Sequence, residues 1–451
     1  MIKKSALLLI FLAASAVLFA QPKDEKELTI ITDRPTTLTY PSYWHTPFGI
    51  NRGTPFWLRV FLGNRTYFNN PQGLAATKLL VEYGRINIGR DDWQLTVYGI
   101  NSGNSEVIYN KSMHALGIFG SFGSGEGQLN RPIGVACNEY GDVYVADTGN
   151  HRVSRWFNDG KNVKFILNLG KHGSGRGEFI SPSYLALDSE GRLYVSDTGN
   201  NRIQVFSKSG GFLYEISKQA SITAPLGISV IDRGERFLGY REDYIYLIDG
   251  EFNRIQKLTH EGRPVARVRL DEELGKTVRL LTLDVDYYGN VYAVDNLNSM
   301  IYKLDSGLNY ITSFGSFGKK SYEFENPTGI AIYKNYGQVF VSDRESAQYF
   351  WIGADARNFT ATRQGNDLKF DFFITERANV TIEIETCDKS SIIVCSSVYF
   401  DTGQNIVKWE VPGAYKDSFK PGAVLKATLK VMATYSSYPH ILRIVTTEIR
   451  N

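Results

Sequence analysis

A chain of 451 residues is long enough for two or three separately packed units. Its formal charge of +3 offers no electrostatic footprint for a nucleic acid partner. Tyr 27 and Phe 26 are high, Gly turns recur throughout, and helix-period stretches are scarce, which favours an all-β protein.

Residues 1–20 read as a secretory signal peptide. Lys3 and Lys4 form a basic start, Ala6 to Phe19 is an apolar run, and Ala20 is a small residue before Gln21. The run is short for a membrane span, and no later stretch is apolar enough to cross one. No Cys follows the run, so no lipid anchor is encoded there. A periplasmic or extracellular protein is expected, and losing Lys3 and Lys4 takes its charge from +3 to +1. Residues 21–55 form an extension. Tyr40, Tyr43, Trp44, Phe48, Phe56 and Trp57 gather near it and read as packing on the body that follows, with a carbohydrate or peptide site as the other reading.

Next comes an internal repeat. Gly141-Asp-Val-Tyr-Val-Ala-Asp147, Gly191-Arg-Leu-Tyr-Val-Ser-Asp197, Gly289-Asn-Val-Tyr-Ala-Val-Asp295 and Gly337-Gln-Val-Phe-Val-Ser-Asp343 align, and Asp243 to Asp249 lacks only the Gly. Gly84 to Arg90 reads as a degenerate copy. A second motif precedes each copy: Pro71-Gln-Gly, Pro132-Ile-Gly, Pro182-Ser-Tyr, Pro225-Leu-Gly and Pro327-Thr-Gly, with Val278 in the Pro place of the remaining unit. Six copies at a period of roughly fifty residues mean six small sheets. One such sheet cannot bury both faces, but a ring of them can. Only three strands are legible in the last unit, so Phe56 to Leu62 is expected to supply its fourth.

The runs Val-Tyr-Val-Ala-Asp147-Thr-Gly-Asn150-His151-Arg152-Val153 and Leu-Tyr-Val-Ser-Asp197-Thr-Gly-Asn200-Asn201-Arg202-Ile203 resemble the NHL repeat family, as does the link Gly120 to Pro132. The resemblance implies a six-bladed β-propeller over 56–353.

After Gly353 the repeat stops. Alternating runs at Leu368–Ile374, Val380–Ile384, Asn405–Trp409 and Ala427–Val431 suggest a small β-sandwich over 354–451. The order, with Asp401-Thr-Gly403-Gln-Asn405 and Phe419-Lys-Pro-Gly422, resembles the immunoglobulin-like domain of the flagellar hook-capping protein. Cys387 and Cys395 flank a Lys-Ser-Ser turn and are candidates for a disulfide in an oxidising compartment. Cys137 lies in a strand that reads as core.

The clearest charged constellation is Asp147/Arg152, Asp197/Arg202 and Asp249/Arg254, each with a spacing of five. Such pairs bridge successive strands and read as an architectural device; the functional reading is a charge ring for a ligand. Met300 and Gln348 stand at the Arg place in the last two units, leaving the ring incomplete. The His residues, His45, His114, His151, His172, His260 and His440, show no metal-ligand spacing, and no GxSxG occurs. No catalytic residue, metal or cofactor is expected. The function read from the chain is an exported binding scaffold whose propeller loops take a protein or glycan partner. A secreted propeller lyase or hydrolase with a site at the channel mouth is the alternative.

Overall fold

The computed structural model describes residues 28–41, 50–82, 95–112, 115–250, 252–386, 389–419, 425–435 and 441–450. The expected signal peptide, the Gly84 to Arg90 copy, Cys387, and His45, His114 and His440 lie outside them. No helix among the described residues is long and apolar enough to cross a membrane.

The chain builds a six-bladed β-propeller and a second, nearly closed β-sheet domain. Blade 2 shows the plan: Val135–Cys137 lies innermost, then Asp142–Asp147, Arg152–Asn158 and Val163–Leu169 step outwards, all antiparallel. Alternation decides which side chains face which neighbour. Val143, Val145 and Trp156 pack back on blade 1, while Tyr144, Ala146 and Val153 pack forward on blade 3.

Two expectations fail in blade 1 and blade 5. The second strand of blade 1 is Leu95–Asn101, with Asn101 paired to Glu106 as Asp147 is paired to Arg152. The repeat therefore continues downstream of Gly84 to Arg90. In blade 5 Leu280, and not Val278, pairs with Asp295 as Pro182 pairs with Asp197.

Ring closure also departs from expectation. Phe56 to Leu62 is not a strand; it lies in the α-helix Pro55–Leu62. Pro55 is preset for a first helical turn, and the run lacks period-2 alternation. Leu58 and Leu62, four apart, are its buried residues, whereas Phe56 and Val60 are exposed. The fourth strand of blade 6 comes from further upstream in two pieces. Leu38–Thr39 pairs with Trp351 and Ile352, and Arg52–Gly53 pairs with Ala347 and Gln348. The propeller thus draws on residues before 56.

In the second domain the strands run in the order Ser391–Phe400, Ala378–Glu385, Lys426–Ala433, Ile441–Arg450, Ala356–Gln364, Asp367–Ile374 and Gly403–Glu410. Ile441–Arg450 joins the two halves, antiparallel to one neighbour and parallel to the other. Phe370, Phe372, Val380, Ile382 and Leu429 fill the interior. The extension does more than pack on the propeller: Thr29–Ile31 pairs in parallel with Ile441 to Arg443.

This domain sits against blades 5 and 6. Lys303 Nζ donates to Glu376 Oε2 at 2.5 Å and to the Thr375 carbonyl at 2.8 Å, and both charged side chains are buried. Tyr435 packs on Tyr287, Tyr288 and Gly337.

Candidate functional site

Six innermost strands surround the propeller axis. Five of them start at the Pro of the motif or two to three residues after it, blade 5 having Leu280 at that place, and in four blades the third motif residue is Gly. A Cβ on Gly134 would lie 2.4 Å from the Ser183 carbonyl oxygen, and one on Gly329 2.4 Å from that of Gln72. Backbone meets backbone there, so only glycine fits. Blade 3 has Tyr184 at this place. Its hydroxyl reaches within 3.5 Å of the Thr328 carbonyl on blade 6, across the axis. Tyr184 is buried and closes one end of the channel.

What remains is a cup of about 400 Å³, open towards the links between first and second strands. Its wall carries Cys137, Ser229, Asp284 and Lys334, drawn from blades 2, 4, 5 and 6. Asp284 accepts hydrogen bonds from Ser229 Oγ at 3.0 Å, and from the backbone N–H groups of Val285 and Ile332 at 2.8 Å each. Burial nevertheless holds its carboxyl above the usual range, against the pull of Lys334. Cys137 lies in a core strand and packs against the buried cluster between blades 1 and 2 while also lining the cup; burial together with the charge of Asp284 pushes its thiol up.

Loop 232–243 of blade 4 reaches over the mouth. Asp232 accepts from the Ser189 backbone N–H at 2.7 Å and from its hydroxyl at 2.5 Å. Gly239 N–H donates to the Tyr287 carbonyl at 2.7 Å. Glu235 pairs with Lys334 at 2.6 Å. Burial raises the Glu235 carboxyl despite that pair. Burial penalises the Lys334 ammonium, but Glu235, Asp284 and Asp232 outweigh the penalty and hold it above its ordinary value. The cup is therefore polar, with both charge signs pre-paired, and suits a small polar molecule better than an apolar one.

None of the expected repeat pairs lies in the cup. Arg152 Nε donates to Asp147 at 2.7 Å, Arg202 Nε to Asp197 at 2.8 Å, and Arg254 Nε to Asp249 at 2.7 Å. Each Asp also accepts the backbone N–H of its own inter-blade link, from Asn130, Ile180 and Thr223. Arg152 and Arg202 reach on to link carbonyls at Gln128 and Glu178. The Asp side chains are fully buried and their oxygens are occupied by protein donors.

The last two units depart from the expected gaps. Asp295 accepts from Tyr302 at 2.9 Å, Asn298 at 2.5 Å and Arg279 N–H at 3.0 Å. Asp343 pairs in register with Ser346, so Gln348 is not at the Arg place. Arg52 from the closing strand fills that role, with Nη2 at 3.1 Å from Asp343. Blade 1 inverts the pattern: Asn101 Nδ2 donates to Glu106 at 2.7 Å, and Asn101 Oδ1 accepts from Asn69 N–H.

The described histidines lie elsewhere. His151 accepts from Ser181 N–H at 3.0 Å and packs on the exposed His172, with ring centres 4.5 Å apart. Burial, with the neighbouring His172, holds the His151 imidazole below its usual value. His260 lies within 3.0 Å of the Ile231 carbonyl. Among the described residues no group of three or more His, Cys, Asp or Glu is placed to hold a metal ion. Tyr184 was legible as a break in the Pro-x-Gly pattern; the Asp284, Glu235 and Lys334 cluster had no sequence signature.

Residues 129–156 and 179–206 match the NHL repeat. The matched residues run from the end of the preceding link into the third strand of the second and third blades. The chain is 51% identical over 43 residues to the B-box type zinc finger protein ncl-1 of Caenorhabditis elegans, covering 10% of this chain and 5% of that protein. It is 49% identical over 43 residues to the protein brain tumor of Drosophila melanogaster, covering 10% and 4%. The chain thus spans 5% or less of the length of these curated relatives. Among solved structures it is similar to a streptogramin B lyase, with 13% identity, a TM-score of 0.42, and coverage of 63% of this chain and 96% of that one.

Proposed function

We propose that this protein is exported and acts as a binding scaffold, taking a protein or glycan partner on one face of its propeller. The face is the one formed by the turns between second and third strands and by the inter-blade links. The opposite face carries the second domain beside the cup. The observation that supports the reading is repeat-equivalent exposure: Phe122 and Phe317 stand at the same place in two links and are 72% and 69% exposed. Exposed aromatic side chains on one rigid face fit a partner surface better than they fit water. A photo-crosslinking residue placed at Phe122 or Phe317 in producing cells is expected to give a discrete adduct that is lost when the other Phe is changed to Ser. Adducts only from positions at the cup mouth would overturn the choice of face.

The alternative, a secreted lyase or hydrolase, draws on the cup itself, where the raised Asp284 and Glu235 carboxyls flank Lys334. One tightly bound zinc or calcium per chain, measured by mass spectrometry on purified protein, would favour that reading.

A further inference from the structure

Five of the six seams between blades are filled by a buried cluster of apolar side chains. Among the described residues no such cluster fills the sixth seam, where blade 6 meets blade 1, and a cavity of about 310 Å³ lies there.

Two positions in the repeat account for it. The second-strand place of Val145, Val195, Leu247, Ala293 and Val341 is Gly99 in blade 1. The third-strand place of Trp156, Phe206, Leu258, Leu304 and Phe350 is Asn110. Both places face the preceding blade, as Val145 and Trp156 do in blade 2. Asn110 turns its amide back into its own sheet, donating to the Leu95 carbonyl at 2.6 Å and accepting from Val97 N–H at 2.5 Å. Neither residue fills the seam. The helix Pro55–Leu62 brings Trp57 and Phe61 to the cavity, and Phe340 and Tyr349 of blade 6 line it as a stacked pair with ring centres 4.8 Å apart.

We infer that this seam is a binding site for a neutral, ring-bearing apolar small molecule. No charged side chain lines it among the described residues, so a charged ligand would lose its hydration without compensation. The aromatic walls offer stacking and edge contacts. An apolar cavity of about 150 Å³ already takes up benzene, and this one is larger. Among the described residues Leu74 alone lines both this site and the cup.

The test uses N-phenyl-1-naphthylamine, an uncharged ring compound whose emission rises in apolar surroundings, titrated into the purified chain. Saturable uptake at one site is expected, with energy transfer from Trp57 that Trp57→Phe reduces. Gly99→Leu fills the cavity from blade 1 and Ala347→Leu from blade 6. Each is expected to weaken uptake tenfold or more without lowering the urea midpoint. If one variant folds poorly, the other is read together with the Trp57→Phe transfer. Absence of saturable uptake, or uptake that none of the three changes alters, would overturn the proposal.

Discussion

Tyr184 stands where four other blades have glycine, and it does so by pointing across the axis to Thr328. It belongs to the buried cluster between blades 3 and 4 while its hydroxyl end stops the channel. Removing it takes away a buried aromatic ring and leaves a hole that backbone cannot fill. Tyr184→Ala is expected to cost about 3–5 kcal/mol, read as a lowered urea midpoint with unchanged slope. A midpoint equal to the parent's would mean the ring is not a wedge. At this scale the sequence was partly legible. Asp147, Asp197 and Asp249 announce themselves by spacing, because their partners are five residues away. Arg52 does not, because its partner Asp343 is 291 positions distant.

Elements were legible where the repeat was regular. The strands of blade 2 fall within a residue of the bounds the sequence suggests, 134–137, 142–146, 152–157 and 164–169. Blade 1 was misread because the chain between its first and second strands is long and its Asp is an Asn. The Phe56 to Leu62 run was misread because its phase in the repeat suggested a strand, whereas Pro55 and the spacing of Leu58 and Leu62 favour a helix. The true closure rests on two short strands, which have little ladder of their own. Arg52 compensates for that weakness by donating to Ser346 at 2.9 Å, Asp343 at 3.1 Å and the Lys320 carbonyl at 3.2 Å. Arg52→Ala is expected to destabilise the ring by about 2–3 kcal/mol, since hydrogen bonds to charged groups are lost and Asp343 keeps fewer donors. Limited proteolysis should then cleave first on the N-terminal side of Arg52. Cleavage rates equal to the parent's would show that the seam does not depend on this residue.

At the scale of the whole molecule, the propeller was readable because the same local chemistry recurs. The docking of the second domain was not, because Lys303 and Glu376 form one pair with no repeat. That pair has a pH consequence. Burial pushes the Glu376 carboxyl up to about 7, with Lys303 acting in the opposite direction and Asp286 in the same one. An unfolded Glu titrates near 4.3. Between those values the folded chain holds a proton that the unfolded chain has released. The stability this group contributes is therefore complete below the unfolded value and is lost as pH rises through about 7. Asp284 and Glu235 are also raised, so the parent alone cannot isolate the effect. Glu376→Gln keeps an acceptor for Lys303 but cannot titrate. Urea midpoints measured from pH 5 to pH 8 are expected to fall more steeply for the parent than for Glu376→Gln up to about pH 7, with the two curves running parallel above it. Curves parallel from pH 5 onwards would mean that Glu376 is ionised across the whole range and that the junction does not respond to pH.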